Sequence, residues 1–362
     1  MSTKIPVAYN QSPVSTFLKI LIKICVIPVT VNPSERTVTF KLRSKSTLTF
    51  MLYNIILLGG SYGLLLYTDG ITNLVMWFQA KMQELNPVDF ISLMCISLST
   101  LLIPNYTLFF SKQITLIGSE IILSQNLQLP NHWKKFVMAT VLYTFSTLII
   151  TLIIQRISSV YLSGWFSVIT MFLLISVSLS QFLIFFLILS FLDEFKRIIF
   201  FRSNGIISHT SKCISLLESL QKGLGTTFLL FFSFLQIQNI FCFYMSISHL
   251  MSMTINNEKA WWHIVISVCY FVWSGYCMTI LYCITLTAED AYDALQSLNT
   301  PLEKMLINET DLTKKEYIKA TMRKLEKTRP LNGNGYFNIT RETLTSILST
   351  TVTYLIILLQ FR

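Results

Sequence analysis

The chain has 362 residues, of which 52% are hydrophobic and only 13% are charged, and phenylalanine alone occurs 27 times. Soluble domains carry roughly 25% charged residues, so this composition excludes an ordinary soluble domain and indicates many membrane spans. The formal net charge is +10, but the basic residues lie between apolar runs, where they determine topology. We therefore expect no nucleic-acid partner.

The N-terminal segment contains no predicted span. Its first 45 residues carry seven Lys or Arg and four Pro, and the apolar run 20–31 is interrupted by Lys23 and Pro28. Such a broken run is too short to cross a bilayer, and no cleavable signal peptide is predicted. Residues 1–47 are therefore predicted to form a cytosolic N-terminal segment.

Seven apolar segments of sufficient length follow, which predicts an all-α polytopic membrane protein. They lie at about 48–67, 88–111, 136–156, 165–192, 227–253, 262–287 and 341–361. Of the 28 Lys and Arg residues, 24 fall on the N-terminal side of the membrane, that is, in the N-terminal segment and the loops after the second, fourth and sixth spans. The positive-inside rule then places the N-terminus in the cytosol and the C-terminus outside.

This orientation excludes a G-protein-coupled receptor, whose N-terminus lies outside the cell. The chain also lacks Asp/Glu-Arg-Tyr after its third span and Asn-Pro-x-x-Tyr in its seventh. The sequons at Asn308 and Asn338 both fall on the predicted cytosolic side, so neither is expected to be glycosylated.

The predicted cytosolic loops carry two apolar stripes at helical spacing. The stripe in loop four comprises Ile207, Ile214, Leu217, Leu220 and Leu224, and the stripe in loop six comprises Tyr317, Ile318, Thr321, Met322 and Leu325. We predict that residues 288–340 form a cytosolic helical anchor packed against inner extensions of the later spans. The alternative is a basic amphipathic helix that rests on anionic lipid headgroups.

The end of the last span has a distinctive pattern: Thr353-Tyr354, five aliphatic residues, then Gln360-Phe361. It resembles the C-terminal signature of the insect gustatory receptor family, and Gly335-Tyr336-Phe337 is similar to the segment that precedes the last helix in that family. Odorant receptors of the same insect superfamily are the close alternative. The chain would then consist of an N-terminal segment (1–47), spans one to six with an outward-facing ligand cavity (48–287), the anchor (288–340) and the pore helix (341–362).

The resemblance implies a ligand-gated, weakly selective cation channel in the plasma membrane of gustatory receptor neurons. Its partners would be copies of itself in a homotetramer, or related receptor subunits, together with membrane lipid and a small-molecule tastant. Each subunit would contribute its last helix to a central pore. Gly333 and Gly335 predict a bend just before this helix.

The residues of the last helix are compatible with a pore. Thr353, Ile357, Gln360 and Phe361 lie at i, i+4, i+7 and i+8, on one helical face. In a ring of helices, Ile357 and Phe361 would form a hydrophobic constriction and Gln360 would present amides. The opposite face, with Leu348, Val352, Leu355 and Leu359, is aliphatic and is predicted to pack. Alternatively, Gln360 bonds to a neighbouring helix and stays outside any pore.

Aromatic residues with a few polar groups in the outer halves of the spans suit a small organic ligand. The candidates for ligand binding are Gln155, Trp165, Thr170, Asn239, Tyr244, His249, Tyr270 and Trp273. Ordinary helix packing is the alternative for each. The aromatic character favours a bitter or other plant metabolite over a sugar.

Other function classes have less support. No zinc-ligand pair, nucleophile–base set or glycine-rich phosphate loop is found, so we expect no enzyme, catalytic residue, metal or cofactor. A secondary transporter requires broken helices and an internal repeat, and Pro104 is the main candidate for a break. A seven-helix receptor that signals through a cytosolic partner would require an internal C-terminus.

Overall fold

The computed structural model describes residues 30–32, 37–39, 181, 184–185, 188–189, 191–200, 205–253 and 260–360. The helical residues between 181 and 200 are called the upstream helix. They are followed by α1 (Ile206–Met253), α2 (Ala260–Gln296), α3 (Asn299–Asn308), α4 (Leu312–Glu326) and α5 (Arg341–Gln360). The described part is mostly helical, as predicted. Predicted spans one to three lie outside the described residues.

A short antiparallel hairpin lies within the N-terminal segment. It pairs β1 (Thr30–Asn32) with β2 (Thr37–Thr39), and Val31 lies opposite Val38. The β-branched Thr and Val residues of both strands favour this extended pairing. The sequence interpretation did not include this hairpin.

Helices α1 and α2 contain the predicted fifth and sixth spans but are much longer. They have 48 and 37 residues, which at about 1.5 Å per residue exceeds a hydrocarbon layer of roughly 30 Å. Neither helix contains proline, so the backbone hydrogen bonding continues beyond the apolar segment. Both are long and apolar enough to cross a membrane, as is α5.

The hydrophobic core continues from the apolar part of α1 and α2 into the predicted anchor. Its fully buried members include Leu192, Phe195, Ile214, Leu220, Leu224, Phe228, Leu281, Ile284, Leu295, Leu302, Ile318 and Leu325. The predicted stripe of loop four is confirmed, because Ile214, Leu217, Leu220 and Leu224 are buried and Ile207 is partly buried against the same core. The predicted anchor, residues 288–340, is therefore packed into the same hydrophobic core as α1 and α2.

Helix α4 packs through the face that the sequence predicted. Ile318, Thr321 and Leu325 are buried, and burying each large aliphatic side chain stabilises the fold by roughly 1.5–3 kcal/mol. Tyr317 is 58% exposed, so its assignment to the packed face was wrong. Since protein covers the apolar face of α4, that face is not available to lie on lipid headgroups.

The first turn of α4 explains where the helix begins. The Asp311 side chain accepts a hydrogen bond from the backbone N–H of Thr313 at 2.9 Å, which satisfies one donor of that turn. On the exposed surface, Lys319 donates to Glu316 at 2.9 Å. This hydrogen bond holds the pKa of the Glu316 carboxyl below its usual value.

Candidate functional site

Helix α5 lies at the edge of the described structure, against α1 and α2. Within its 20 residues, Ile347 and Thr351 are buried, and most others are partly or fully exposed. In the most apolar window of each spanning segment, 44% of residues are buried in α1, 33% in Ser267–Asn308, which comprises most of α2 together with α3, and only 11% in α5. Most of the α5 surface is thus available to lipid or to another subunit.

Four threonine hydroxyl groups of α5 are satisfied by the helix itself. Thr345, Thr350, Thr351 and Thr353 each donate to the carbonyl four residues earlier, at 2.8–3.1 Å. Such bonds let a threonine enter an apolar environment without an unpaired donor. The helix therefore combines polar residues with the capacity to cross a membrane.

Three of the four predicted pore residues lie in the described part of α5. Thr353, Ile357 and Gln360 are exposed, as is Tyr354 of the same motif, whereas Phe361 lies outside the described residues. Their assignment to a pore stays a prediction.

The packing face of α5 differs from the prediction. Of the four residues expected to pack, Leu348 and Val352 are 44% and 54% exposed and Leu355 and Leu359 are partly buried, whereas Ile347 and Thr351 are buried. The prediction followed aliphatic character and treated Thr351 as polar. Because its hydroxyl bonds to the Ile347 carbonyl at 2.8 Å, Thr351 packs like valine.

A tight turn precedes α5, and we call residues Leu331–Ile339 the joint hairpin. The N–H of Gly333 donates to Phe337 O at 2.8 Å, and the N–H of Ile339 donates to Leu331 O at 2.7 Å. Asn334 and Gly335 have φ values of 53° and 86°, and the N–H of Tyr336 donates to Gly333 O. These features match a type I′ turn, in which Asn-Gly is the preferred central pair.

The joint hairpin rests on α1. Gln221 forms three hydrogen bonds with Asn332: its Nε2 donates to the Asn332 carbonyl at 2.9 Å and to Oδ1 at 2.7 Å, and its Oε1 accepts from the Asn332 N–H at 2.8 Å. One turn later, a Cβ on Gly225 would lie 2.7 Å from Gln221 Nε2 and 3.4 Å from the Asn334 nitrogen. Glycine at 225 therefore permits this close approach.

An ion pair lies at the first residue of α5. Arg341 Nε is 2.9 Å from Glu289 Oε2 of α2, and the adjacent Asp290 accepts a hydrogen bond from Lys196 of the upstream helix at 2.8 Å. A positive charge at a helix N-terminus is opposed by the helix dipole, and Glu289 offsets that effect. Two neighbouring acids of α2 thus bind two different helices.

Buried polar side chains join the helices within the predicted spans. Asn239 of α1 is fully buried, donates to Met278 Sδ at 3.2 Å, and accepts from the Ser274 hydroxyl. Further along the chain, Ser246 and Ser267 are buried and hydrogen-bonded to each other at 2.9 Å. Asn239, a candidate for ligand binding, thus bonds to α2.

The aromatic candidates also lie between α1 and α2. The rings of His249 and Tyr270 are nearly parallel, with centroids 6.1 Å apart, and Phe241 meets Tyr270 edge-on at 6.1 Å. Tyr244 is buried, and the half-buried Trp273 packs against the hydrophobic core. Gln155, Trp165 and Thr170 lie outside the described residues, so the predicted cavity stays a prediction.

The sequence analysis did not predict the contact between α1 and the joint hairpin that precedes α5. It predicted only a bend at Gly333 and Gly335, and the role of Gln221 was not identified. The Asn-Gly pair at 334–335 was a usable hairpin signal, but Asn332-Gly333 is an equally good pair two residues earlier.

Comparison with known protein families gives a match to the C-terminal part of the chain. Residues 201–362 match the family model described as 7tm Chemosensory receptor. The matched segment comprises 162 of the 362 residues, so the model covers somewhat less than half of the chain. The chain gives no significant match among curated protein sequences.

Two solved structures have the same fold as this chain. One is the insect olfactory receptor OR5 from Machilis hrabei in complex with eugenol, with 15% identity, a TM-score of 0.60, and coverage of 96% of this chain and 97% of that chain. A second structure of OR5 gives 14% identity, a TM-score of 0.58, and coverage of 96% and 99%. At this identity the likeness establishes the seven-helix fold alone.

Proposed function

We propose that the receptor is a tastant-gated, weakly selective cation channel that assembles as a tetramer with α5 lining a central pore. The observation that carries the proposal is the surface of α5. This helix is apolar enough to cross a membrane, yet its buried residues lie on one narrow face. A ring of identical helices would give the other faces partners and enclose a pathway.

The gustatory assignment rests on the pattern Thr353-Tyr354…Gln360-Phe361. Ile357 and Phe361 form the constriction and Gln360 offers amide groups to permeating ions. No Asp or Glu occurs in α5 beyond Glu342 in its first turn, so an acidic ring within the helix is absent and ion selectivity is weak. The ligand is a bitter or other plant metabolite, bound in a cavity on the outer side of the spans.

An odorant-receptor-type channel subunit is the second candidate, favoured by the structural likeness to an insect olfactory receptor. The two candidates differ in ligand class rather than in pore architecture. A ligand panel must therefore include volatile phenols such as eugenol beside sugars, plant alkaloids and glycosides.

The deciding experiment is whole-cell recording from cells that express this chain alone, challenged with that panel. A current evoked without added G-protein is expected. Gln360→Ala and Phe361→Ala should change the resting leak, rectification or conductance at unchanged surface expression. Leu348→Ala, an exposed position on another face of α5, should change none of these pore properties.

Trp273→Ala separates the ligand site from the pore. It should shift the half-activating concentration and leave the leak unchanged. Pore properties that stay unaltered in both Gln360→Ala and Phe361→Ala would place these residues in helix packing and remove the pore assignment.

A further inference from the structure

We propose that Gln221 is a positioning residue that fixes the joint hairpin to α1 and thereby sets the position of the base of α5; its effect on the gate rests on the proposed channel function. In this arrangement the base of α5 moves together with α1. It does not swing freely at the glycines of the hairpin.

One backbone edge of the joint hairpin has no hydrogen-bond partner within the hairpin, and Gln221 bonds to it. Asn332 lies opposite Asn338 in an antiparallel bridge, and the hairpin's own bonds are made by the neighbouring residues 331, 333, 337 and 339. The N–H and C=O of Asn332 therefore point away from the partner strand. The single amide side chain of Gln221 satisfies both groups, as another strand would.

The Asn332 side chain connects this contact to the turn. Its Oδ1 accepts from Gln221 Nε2 at 2.7 Å and from the Gly335 N–H at 2.7 Å. Gln221 thus holds the backbone of the hairpin directly and the turn through Asn332 Oδ1.

The far end of the hairpin is equally constrained. Phe337 lies against Phe232 of α1, with ring centroids 5.5 Å apart. Ile339 is fully buried, and the Thr343 hydroxyl of α5 donates to the Asn338 carbonyl. Only Thr340 separates Ile339 from the first residue of α5. The segment between the hairpin and α5 is therefore too short and too tightly packed for α5 to move independently of the hairpin.

The donors and acceptors at this contact predict that two substitutions of an amide by a carboxylate will have different effects. Asn332→Asp keeps both acceptor bonds of Oδ1 and loses only a 3.5 Å contact from Nδ2 to the Pro330 carbonyl. Gln221→Glu, in contrast, removes the donor and places a carboxylate against two acceptors of Asn332. Each variant adds one negative charge, so charge alone cannot distinguish them. Because only Gln221→Glu loses the donor, only this variant of the two should release the hairpin. Gln221→Leu and Asn332→Leu remove the contact without adding charge.

Hydrogen exchange of the full-length receptor in lipid nanodiscs tests the contact without any ligand. Amides of the segment 331–340 should exchange about fivefold faster or more in Gln221→Glu, Gln221→Leu and Asn332→Leu, the equilibrium effect of about one net hydrogen bond. Asn332→Asp should stay within about twofold of the natural protein on the same scale. Lys222→Ala, at an exposed neighbour of Gln221, is the matched control.

Resting conductance without ligand tests the consequence for the gate. Gln221→Glu, Gln221→Leu and Asn332→Leu should each raise the leak about fivefold, the factor that corresponds to about one net hydrogen bond. Unitary conductance and ion selectivity should stay unchanged. Unchanged exchange in Gln221→Leu would overturn the contact, and unchanged leak despite faster exchange would overturn its role in gating. If the natural protein at the cell surface passes no current with any panel compound, the channel proposal fails and the gating role fails with it, while the exchange result still decides the contact.

Discussion

Asn239 illustrates how single buried polar residues stabilise the packing of this protein. In lipid, an amide without partners is costly, and this one is satisfied by Ser274 and Met278 of the neighbouring helix. The Asn239–Ser274 bond therefore fixes the register of α1 against α2, and we expect stability rather than ligand affinity to depend on it.

Asn239→Ala should lower the free energy of unfolding by about 1–2 kcal/mol, because Ser274 loses its acceptor and a small cavity forms. Ser274→Ala should cost less. The double variant should be less destabilised than the sum of the two, with a coupling of roughly 0.6 kcal/mol, the mean for polar pairs between membrane helices. Thermal unfolding in detergent measures these values, and a shift in ligand sensitivity at unchanged stability would instead place Asn239 in the binding site.

At the scale of elements, the base of α5 depends on its pairing with α2. Arg341 is 65% exposed and Glu289 is 24% exposed, so solvent weakens their attraction to a few tenths of a kcal/mol, up to about 1 kcal/mol. The pair can still determine where the helix N-terminus rests, since the repulsion in Arg341→Glu would act at the same point.

The charge-exchange experiment tests this pairing. Arg341→Glu and Glu289→Arg should each lower the thermal midpoint by a degree or two, whereas the double exchange should recover most of the loss. The exchanged pair also places a carboxylate at the helix N-terminus, which the helix dipole favours. Losses that simply add in the double variant would show that the two residues do not interact.

How far the sequence predicts these elements depends on the range of the interaction. The predicted spans 227–253 and 262–287, and residues 341–360 of the predicted seventh span, are confirmed as helices because length and apolar composition suffice to define them. The contact between Gln221 and Asn332 joins residues 111 positions apart, and no local pattern announces it. The packing face of α5 was misassigned because hydropathy treats Thr351 as polar, whereas its hydroxyl is satisfied within the helix.

At the scale of the whole molecule, the orientation in the membrane is the main prediction. The sequons at Asn308 and Asn338 are both exposed, so a glycosyltransferase on that side of the membrane could reach them. We expect neither residue to be glycosylated and an epitope tag after Arg362 to be accessible on intact cells. A gel-mobility shift reversed by glycosidase, or a tag detected only after permeabilisation, would reverse the topology and exclude the pore arrangement.

The continuity of α1 gives the molecule a mechanical property. Residues 206–226 precede the predicted span as one unbroken rod of about 30 Å. A tilt of roughly 5° at the membrane boundary would move the far end of this rod by nearly 3 Å, on the scale of one hydrogen-bond length. A tilt too small to separate packed side chains at the membrane boundary is therefore amplified along α1. At the N-terminal end of the helix it becomes a displacement that can break or form polar contacts.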